Sequence, residues 1–370
     1  MKVLLVNVGK AVMAVIYGIC KLFPAKKKKV VFLSRQSDEL SLDFRLLAEE
    51  LVKQEPKVQI VSICNRLDDA KKGMLGFAWD TLRSMGHLAT ARVCVLDAYW
   101  PAVSLLHHKK SLTVIQMWHA IGKIKQSGYQ TLDKESGRSK KTAEVLKMHR
   151  GYDMIIAGGK AFNSFYCASF DTTEDKLRNI GLPRIDFLLN TREVNRKKAF
   201  AAYPELSEKT VILYAPTFRR NIDLDWEPLL DGIDFSKYAF ILKSHPNQQL
   251  SCHRPEVLSC PELSAVELLA VCDYLITDYS AIALEGAVLN KKTYYYLYDY
   301  EEYTTKNGIN VNPFESMPGC AFKDGKALIK ALMQEAYPQE VLDAYRKNYL
   351  PEGIGHCTEN LARLVKENLE

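Results

Sequence analysis

The sequence predicts an α/β protein of two domains, each built on a parallel β-sheet with helices on both faces. Its 370 residues are enough for two domains of ordinary size. Short apolar runs rich in Val and Ile alternate with segments of helical periodicity, a pattern that favours parallel strands joined by helices. The alternation pauses once, in a charged stretch at residues 190–204, and then resumes. We therefore expect two domains joined by a helical linker, with the functional site in the cleft between them.

The first domain is expected over residues 30–190. Its predicted strands are the apolar runs at 30–33, 58–63, 93–96, 113–117 and 154–157. Helical spacing occurs between them at 42–52 and 74–85. Active-site loops are expected at the carboxyl ends of such strands.

A linker helix is predicted at residues 191–205, and the second domain is expected over residues 206–370. The predicted strands of this domain are at 211–215, 239–243, 274–277 and 293–297. Its predicted helices are at 265–271, 281–289, 327–335 and 359–368. The second half of the chain therefore repeats the α/β pattern of the first half.

The composition is that of an average soluble globular protein, with 47% apolar and 25% charged residues, which excludes a disordered, collagen-like or coiled-coil chain. The charge is uneven, because residues 1–190 hold 30 Lys and Arg against 18 Asp and Glu. This basic half predicts a polyanionic partner, either an anionic membrane surface or a phosphorylated substrate. Nucleic acid is not expected, because aromatic stacking residues are not interleaved with the basic ones.

Residues 1–29 are apolar with interspersed lysines and end in four consecutive lysines. A signal peptide has its charges before its apolar stretch, and a membrane-spanning helix needs about 20 uninterrupted apolar residues, so this segment fits neither. We interpret it as an amphipathic helix on an anionic membrane surface, with its lysines at headgroup level. The alternative is a first helix that packs on its own domain, followed by a solvated lysine run.

The nine cysteines are scattered without a C-x-x-C pair, which is typical of reduced thiols in the cytosol. The cysteines and histidines form no zinc-binding pattern. Asp223 and Asp225 have the D-x-D spacing of a metal and nucleotide-diphosphate site, but they lie in a charged loop and we interpret them as solvated. The sequence thus predicts neither a metal ion nor a cofactor.

His119 is the main functional candidate of the first domain, because it follows the predicted strand at 113–117. Imidazole titrates near neutral pH, so a histidine at the carboxyl end of a strand is placed as a catalytic base. Lys123 and Lys125 follow in a glycine-containing loop that is a candidate for binding the acceptor or a phosphate. The alternative for His119 is a structural role inside the domain.

Polar clusters follow three predicted strands of the second domain. Arg219 follows the first and is suited to bidentate phosphate binding, whereas His245 follows the second and is suited to bind the same anion or protonate a leaving oxygen. Ser280 follows the third, at the start of a helix where backbone N–H groups attract phosphate. Glu285, in that helix, is a candidate for accepting ribose hydroxyls. The alternatives are helix capping for Ser280 and solvation for Glu285.

Five short motifs occur in a fixed order along the chain. They are Trp118-His119 with Lys123 and Lys125, Tyr214-Ala215-Pro216-Thr217-Phe218-Arg219, Lys243-Ser244-His245-Pro246, Thr277-Asp278-Tyr279-Ser280, and Tyr298-Asp299-Tyr300-Glu301-Glu302-Tyr303. In this order and spacing they resemble the CDP-glycerol glycerophosphotransferase family, whose members build teichoic acid and related capsule polymers. The sequence departs from the usual family pattern at Ala120, where a glycine is usual, and at Ala281, where a second serine is common.

The resemblance implies two Rossmann-like domains of the GT-B type that face each other across a cleft. It implies that His119 is the catalytic base and that His245 is a second essential histidine near the donor pyrophosphate. The donor-binding positions that it implies are Thr217, Arg219, Ser244, Thr277, Asp278, Ser280 and Glu285. Lys123 and Lys125 then belong to the acceptor or phosphate loop.

The activity that the resemblance implies is transfer of a polyol phosphate, in the first place glycerol phosphate, from a CDP-polyol to a hydroxyl of a lipid-linked or glycan acceptor. CMP leaves, and the enzyme acts as a peripheral protein on the cytoplasmic face of the membrane in teichoic acid or capsule synthesis. Because the sequence has no metal-binding motif, we expect the activity to be independent of metal ions or only weakly stimulated by them. Three alternatives stay open. They are a CDP-ribitol donor, a GT-B glycosyltransferase that uses a nucleotide sugar, and a catalytically silent membrane scaffold.

Overall fold

The structure is a computed structural model that describes residues 2–66, 71–219, 225–244 and 254–370. The chain divides into two compact units. The first contains Met1–Ala120, Ser127–Asp186 and Pro351–Glu370, and the second contains Ile121–Gln126 and Phe187–Leu350. The predicted α/β class is confirmed, because each unit has a six-stranded parallel sheet among its described residues.

The strands of the first unit are β1 (Lys29–Ser34), β2 (Gln59–Cys64), β3 (Val93–Leu96), β4 (Thr113–Gln116), β5 (Met154–Ile156) and β6 (Leu177–Arg178). They pair in parallel in the order β2-β1-β3-β4-β5-β6. Val31 of β1 lies opposite Val61 of β2 and Cys94 of β3. All side chains of β1 and β3 are buried, as expected for strands that have helices on both faces.

The helices of the first unit are α1 (Lys2–Cys20), α2 (Leu42–Gln54), α3 (Lys71–Thr90), α4 (Pro101–Leu105), α5 (Lys140–Val145), α6 (Asn163–Phe170), the first half of α7 (Pro183–Asn190) and α15 (Cys357–Glu367). Helix α2 begins after Ser41, whose side chain accepts a hydrogen bond from the backbone N of Phe44. Phe44 then stacks on Phe32 of β1, with ring centroids 4.7 Å apart. The capping serine thus places the apolar face of α2 on the sheet.

The strands of the second unit are β7 (Thr210–Tyr214), β8 (Tyr238–Leu242), β9 (Val257–Leu258), β10 (Tyr274–Thr277), β11 (Lys292–Tyr296) and β12 (Ala321–Phe322). They pair in parallel in the order β12-β11-β10-β7-β8-β9. Its helices are the second half of α7, α8 (Arg192–Ala202), α9 (Ala265–Leu268), α10 (Ile282–Val288), α11 (Tyr300–Lys306), α12 (Pro313–Ser316), α13 (Gly325–Met333) and α14 (Gln339–Tyr349).

In each sheet the strand order reverses at one place, between β1 and β3 in the first unit and between β7 and β10 in the second. At such a switch point the connections from the two strands run to opposite faces of the sheet. This leaves a crevice at the carboxyl ends of the strands, where ligands bind in open α/β sheets. The two switch points therefore define where the functional residues of each unit are to be sought.

The nine predicted strands are all present, with ends that differ from the prediction by at most one residue. The structure adds β6, β9 and β12, which have two residues each and are too short to produce a periodic signal in the sequence. Helix α9 is shorter than predicted, and α3 is longer in both directions.

The units differ from the predicted domain boundaries in several places, one of which is Ile121–Gln126, predicted in the first domain but part of the second unit. The expected linker at residues 191–205 contains α8 and belongs to the second unit. Helix α15, expected in the second domain, belongs to the first unit. The carboxylate of Asp186 accepts hydrogen bonds from the backbone N of Cys357 and of Thr358, at 3.2 and 2.7 Å. These bonds satisfy N–H groups at the start of α15, which have no partner within the helix.

Helix α1 is held on the first unit by Tyr17, whose buried hydroxyl lies 2.7 Å from Nδ1 of His108. This contact leaves much of the helix surface to solvent, including several large apolar side chains. Among the described side chains of α1, the exposed large apolar residues are Val8, Val12, Val15, Ile16 and Ile19. Among the described residues, no helix combines the length and the apolar content that crossing a bilayer requires.

Candidate functional site

The switch point of the first unit is organised by the carboxylate of Asp97, which follows β3. Ser34, the last residue of β1, donates a hydrogen bond from Oγ to Asp97 Oδ2 at 2.6 Å. The backbone N of Arg35 donates to Asp97 Oδ1 at 3.2 Å. The carboxylate therefore joins the carboxyl ends of the two strands between which the order reverses.

Asp97 is buried, and this burial raises the pKa of its carboxyl from 3.8 to about 6. Desolvation is the cause, because a carboxylate loses hydration energy inside a protein. The hydrogen bonds from Ser34 and Arg35 favour the charged form and act in the opposite direction. Asp97 therefore titrates much closer to neutral pH than an ordinary aspartate.

His119, the predicted base, lies three residues beyond the end of β4 and is partly exposed. Its Nδ1 is 3.0 Å from the backbone carbonyl oxygen of Asp97. Because a carbonyl oxygen only accepts hydrogen bonds, Nδ1 carries the proton of the neutral ring and Nε2 carries the lone pair. The ring of Trp118 lies 4.0 Å from that of His119, and Trp118 has a φ of 65°. Such a backbone conformation is uncommon outside glycine and shows that the surrounding structure holds this turn.

The chain beyond His119 enters the second unit as the segment Ile121–Gln126. Asn310 holds this segment through three hydrogen bonds. Its backbone N donates to the carbonyl oxygen of Ile124 at 2.7 Å. Its Nδ2 donates to the carbonyl oxygens of Lys123 and Lys125 at 3.0 and 3.1 Å. A single side chain thus fixes the backbone that carries both predicted lysines.

The two lysines of this segment have different environments. Lys123 is only 2% exposed, and burial lowers the pKa of its ammonium group well below the usual value. The side chain of Lys125 is exposed. Although Lys125 has an exposed surface, protein atoms crowd its ammonium group, and the resulting loss of hydration lowers its pKa; the negative charge of Asp278 raises this pKa and the positive charge of Arg219 lowers it. Of the two, Lys125 is the one that a ligand can reach from solvent.

The switch point of the second unit contains a buried network around Asp278, which follows β10. Thr217, which follows β7, donates hydrogen bonds to this carboxylate from its backbone N at 3.0 Å and from its Oγ1 at 2.6 Å. Arg219 donates from Nη2 to Asp278 at 2.9 Å and from Nε to Asp299 at 2.7 Å. Its guanidinium also lies 4.6 Å from the ring centroid of Tyr303. The network therefore joins the loops that follow β7, β10 and β11.

Arg219 is held inside the protein by two carboxylates and an aromatic ring. Burial alone would lower the pKa of Arg219, but the charges of Asp278 and Asp299 outweigh this effect and raise it. Thr277 is buried too, and its Oγ1 donates to the carbonyl oxygen of Ala215 at 2.8 Å. Four of the predicted donor-binding residues are thus at most 5% exposed and bonded to neighbouring loops, namely Thr217, Arg219, Thr277 and Asp278.

The other predicted residues have varied positions. Ser280 is partly exposed, and its Oγ accepts a hydrogen bond from the backbone N of Ile282, where α10 begins. Glu285 is buried in α10 rather than solvated, and Ser244 is partly exposed beyond β8. Asp225 is exposed, as expected. His245 and Asp223 lie outside the described residues.

The sequence motifs assign no role to Arg35, Asp97, Asp299 or Asn310. Asp97 has a recognisable signal, because a polar residue directly follows a buried strand. Asp299 lies in one of the motifs, but spacing alone does not indicate that it pairs with an arginine 80 residues earlier. The role of Asn310 depends on contacts with a distant segment and has no signal in a single sequence.

The family model for CDP-glycerol:poly(glycerophosphate) glycerophosphotransferase matches residues 16–367 of the chain. The teichoic acid ribitol-phosphate primase of Bacillus spizizenii is 30% identical over 386 aligned positions, which cover 100% of this chain and 99% of that protein. The teichoic acid glycerol-phosphate primase of Bacillus subtilis is 27% identical, over 75% of this chain and 74% of that protein.

Solved structures share the fold. The wall teichoic acid polymerase TagF, in a variant soaked with CDPG for 30 minutes, superposes with a TM-score of 0.74 at 20% identity, over 100% of this chain and 97% of that chain. The UDP-GlcNAc 2-epimerase of Neisseria meningitidis, bound to UDP-GlcNAc, gives a TM-score of 0.53 at 15% identity, over 92% of this chain and 100% of that chain. At such identities the likeness concerns the fold alone.

The fold and these matches together place the chain in the class of teichoic acid polyol-phosphate transferases. The chain belongs to the CDP-glycerol:poly(glycerophosphate) glycerophosphotransferase family. The resemblance drawn from the five motifs is thereby confirmed.

The raised pKa of Asp97 predicts a pH-dependent effect of Asp97→Asn. The folded-state pKa of about 6 lies above the usual 3.8, so the wild type loses stability as the pH rises through this range. Asn does not titrate, so thermal unfolding should show the variant gaining up to about 2–3 kcal/mol relative to wild type between pH 4 and pH 7. Asp343→Asn, at an exposed position, is the matched control and should show no such change. A stability difference that is independent of pH would contradict the assignment.

The buried network predicts that Arg219→Ala destabilises the second unit by about 3–5 kcal/mol, because two buried carboxylates lose their cation. Arg196→Ala is the matched control, since Arg196 lies over the ring of Phe200 on the surface of α8 and should contribute less than about 1 kcal/mol. Urea unfolding measures the change in the free energy of unfolding, and hydrogen exchange of β7 and β10 shows whether the change lies in the second unit. Equal effects of the two substitutions would show that Arg219 is not structural.

Proposed function

We propose that the protein transfers a polyol phosphate from a CDP-polyol to a hydroxyl group of a lipid-linked or glycan acceptor and releases CMP. The observation that carries the proposal is the geometry of His119. Its Nδ1 is held by the carbonyl oxygen of Asp97, so Nε2 of the partly exposed ring has the lone pair that a general base needs. Family membership supports the class of reaction.

In the proposed step, Nε2 of His119 takes the proton of the acceptor hydroxyl while the hydroxyl oxygen attacks the β-phosphorus of the donor. A bond forms between the acceptor oxygen and this phosphorus. The bond from the phosphorus to the bridging oxygen breaks, and CMP leaves with the electron pair. Base catalysis of this kind contributes roughly 10²–10⁴ in rate, and stabilisation of the charge on the phosphate oxygens contributes more.

On the donor side, Lys125 and Ser280 are the candidates for direct contact with the phosphates, because both are accessible to solvent. Lys125 supplies a positive charge within electrostatic range of Asp278 and Arg219. Thr217, Arg219 and Asp278 act as positioning residues that hold the loops at the switch point. His245 stays in the proposal as the second essential histidine. Only the sequence motif supports this role.

The polyol is proposed to be ribitol in the first place and glycerol in the second, which reverses the order expected from the motifs. A relative that matches 100% of the chain, at 30% identity, is a ribitol-phosphate primase. The glycerol-phosphate primase of Bacillus subtilis matches over 75% of the chain at 27% identity. A nucleotide-sugar donor has only a shared fold in its favour, and nothing supports a catalytically silent scaffold.

His119→Gln should lower CMP release by about 10²–10⁴-fold, because the amide cannot accept the proton. His356→Gln is the matched control, since His356 is an exposed histidine of the first unit, and its activity should equal that of the wild type. A panel of CDP-ribitol, CDP-glycerol and UDP-sugars identifies the donor, and repeating the assay in excess EDTA tests the metal-free step. Full activity of His119→Gln, or turnover of UDP-sugars only, would refute the proposal.

We also propose that α1 attaches the enzyme to the cytoplasmic face of the membrane. Val15 and Ile19 are 66% and 58% exposed on this helix, and Leu22 and Phe23 are exposed just after it. The lysines at positions 26–28 follow on the surface, whereas Lys29 is buried and donates from Nζ to Thr90 Oγ1. Apolar side chains next to exposed lysines are typical of a helix that lies in the headgroup region of an anionic leaflet.

The double variant Val15→Asp/Ile19→Asp should bind phosphatidylglycerol-containing vesicles at least about tenfold more weakly in co-sedimentation, because two apolar side chains no longer enter the bilayer. Val194→Asp is the matched control, because Val194 is 65% exposed on α8. Transfer to a soluble acceptor should be unchanged in both variants. Unchanged vesicle binding of the double variant would reject the role of α1. Substitution is preferable to deletion of residues 1–29, which would remove the buried Tyr17 and Lys29.

A further inference from the structure

Arg35 is a partly buried arginine at the switch point of the first unit whose hydrogen-bonding capacity is only partly used. Its Nη1 donates to the carbonyl oxygen of Tyr99 at 3.1 Å, and its Cζ lies 4.9 Å from the ring centroid of Phe77. The Nε atom is buried and makes no hydrogen bond with any described residue. The ring and the carbonyl therefore fix the orientation of the guanidinium and leave Nε without an acceptor.

An unpaired buried donor is rare in proteins and calls for a partner. The Nε–Nη2 edge of a guanidinium presents two parallel N–H groups, the geometry that matches two oxygens of a phosphate or carboxylate. The position of the edge agrees with this, since ligands of open α/β sheets bind beyond the carboxyl ends of the strands at the switch point. Arg35 thus has the chemistry and the location of an anion ligand.

A second arginine, Arg138, is exposed on the loop before α5, and its positive charge acts on Arg35. Burial and, after it, the charge of Arg138 lower the pKa of Arg35. Arg138 also acts electrostatically on Tyr99, the residue whose carbonyl oxygen binds Arg35. Two cations at one place repel each other, and an anion bound between them removes this repulsion.

The site lies next to the candidate base. Asp97 accepts a hydrogen bond from the backbone N of Arg35 through its carboxylate, and its carbonyl oxygen contacts Nδ1 of His119. The negative charge of Asp97 also acts on Arg35, which favours a singly charged ligand over a doubly charged one. The hydroxyl that reacts at His119 belongs to the acceptor, and the family is described by a poly(glycerophosphate) acceptor, a chain of phosphodiesters. A phosphodiester carries one negative charge and lies one polyol away from the terminal hydroxyl.

We propose that Arg35 binds the phosphodiester of the acceptor that adjoins the reacting hydroxyl. The inference rests on the proposed function for the identity of the ligand, and on the contacts of Arg35 for the existence of the site. Arg35 is in this view a specificity-determining residue, which selects acceptors that already carry a polyol phosphate.

Kinetics with two soluble acceptors test the proposal. For an acceptor that contains a phosphodiester, Arg35→Gln should raise KM about 10–100-fold and leave KM for the CDP-polyol unchanged, because only one charged contact is lost. For a neutral polyol acceptor, the variant and the wild type should have equal KM. For the phosphodiester acceptor, the KM of Arg35→Lys should lie between that of the wild type and that of Arg35→Gln, since lysine keeps the charge and loses the two-pronged geometry. Arg150→Gln is the matched control, because Arg150 is exposed and paired with Asp171.

Direct binding separates this proposal from the proposed function. Glycerophosphoglycerol is titrated by calorimetry into His119→Gln and into His119→Gln/Arg35→Gln, so that no transfer is needed for a signal. At least tenfold weaker binding to the double variant supports the site, even if no donor is ever turned over by the wild type. Equal binding to the two proteins, or an equal loss of affinity in Arg150→Gln, overturns it. Thermal unfolding of both Arg35 variants shows whether the fold is retained.

Discussion

The candidate active site of the first unit depends on one buried residue, Asp97. Its carboxylate binds Ser34 and the backbone of Arg35, and its carbonyl oxygen orients His119. A parallel sheet brings the ends of β1, β3 and β4 to one edge, but it does not decide which way the loops turn there. Asp97 fixes the direction of these loops. Its carboxylate accepts a hydrogen bond from the loop after β1, and its carbonyl oxygen accepts one from the imidazole of His119. This central position removes the carboxylate from water, and the loss of hydration raises the pKa of its carboxyl.

In the second unit a buried carboxylate also joins the loops at the switch point, but it is paired with an arginine. Asp278 occupies the place beside the switch point that Asp97 occupies in the first unit, and it also binds the loop that follows the neighbouring strand. Here, however, the carboxylate has a full counter-ion, Arg219, which a second carboxylate from Asp299 shares. Buried ion pairs need such saturation, because an unmatched charge inside a protein is strongly unfavourable. The result is a set of loops, linked by buried hydrogen bonds, around the proposed donor site.

The sequence predicts strands better than contacts, and particular residues show why. The runs around Val31 and Ile276 are apolar because both faces of a parallel strand are covered, so a single sequence reveals them. The pairing of α15 with Asp186, and of Ile121–Gln126 with Asn310, joins residues more than 170 positions apart and leaves no local pattern. Arg219 illustrates the limit of motif reasoning. An arginine after a strand has the appearance of a phosphate ligand, and only the folded structure shows that Asp278 and Asp299 bind it.

The same distinction explains why the excess of basic residues in the first half is only a coarse guide to partners. Lys29 donates to Thr90, Arg184 pairs with the buried Asp43, and both are therefore part of the fold rather than of a binding surface. The two proposed polyanion sites are local, namely the exposed lysines after α1 for an anionic leaflet and Arg35 for a phosphodiester. A long-range field would attract any polyanion. Selectivity for one of them requires a fixed guanidinium edge, and Phe77 and Tyr99 provide this for Arg35.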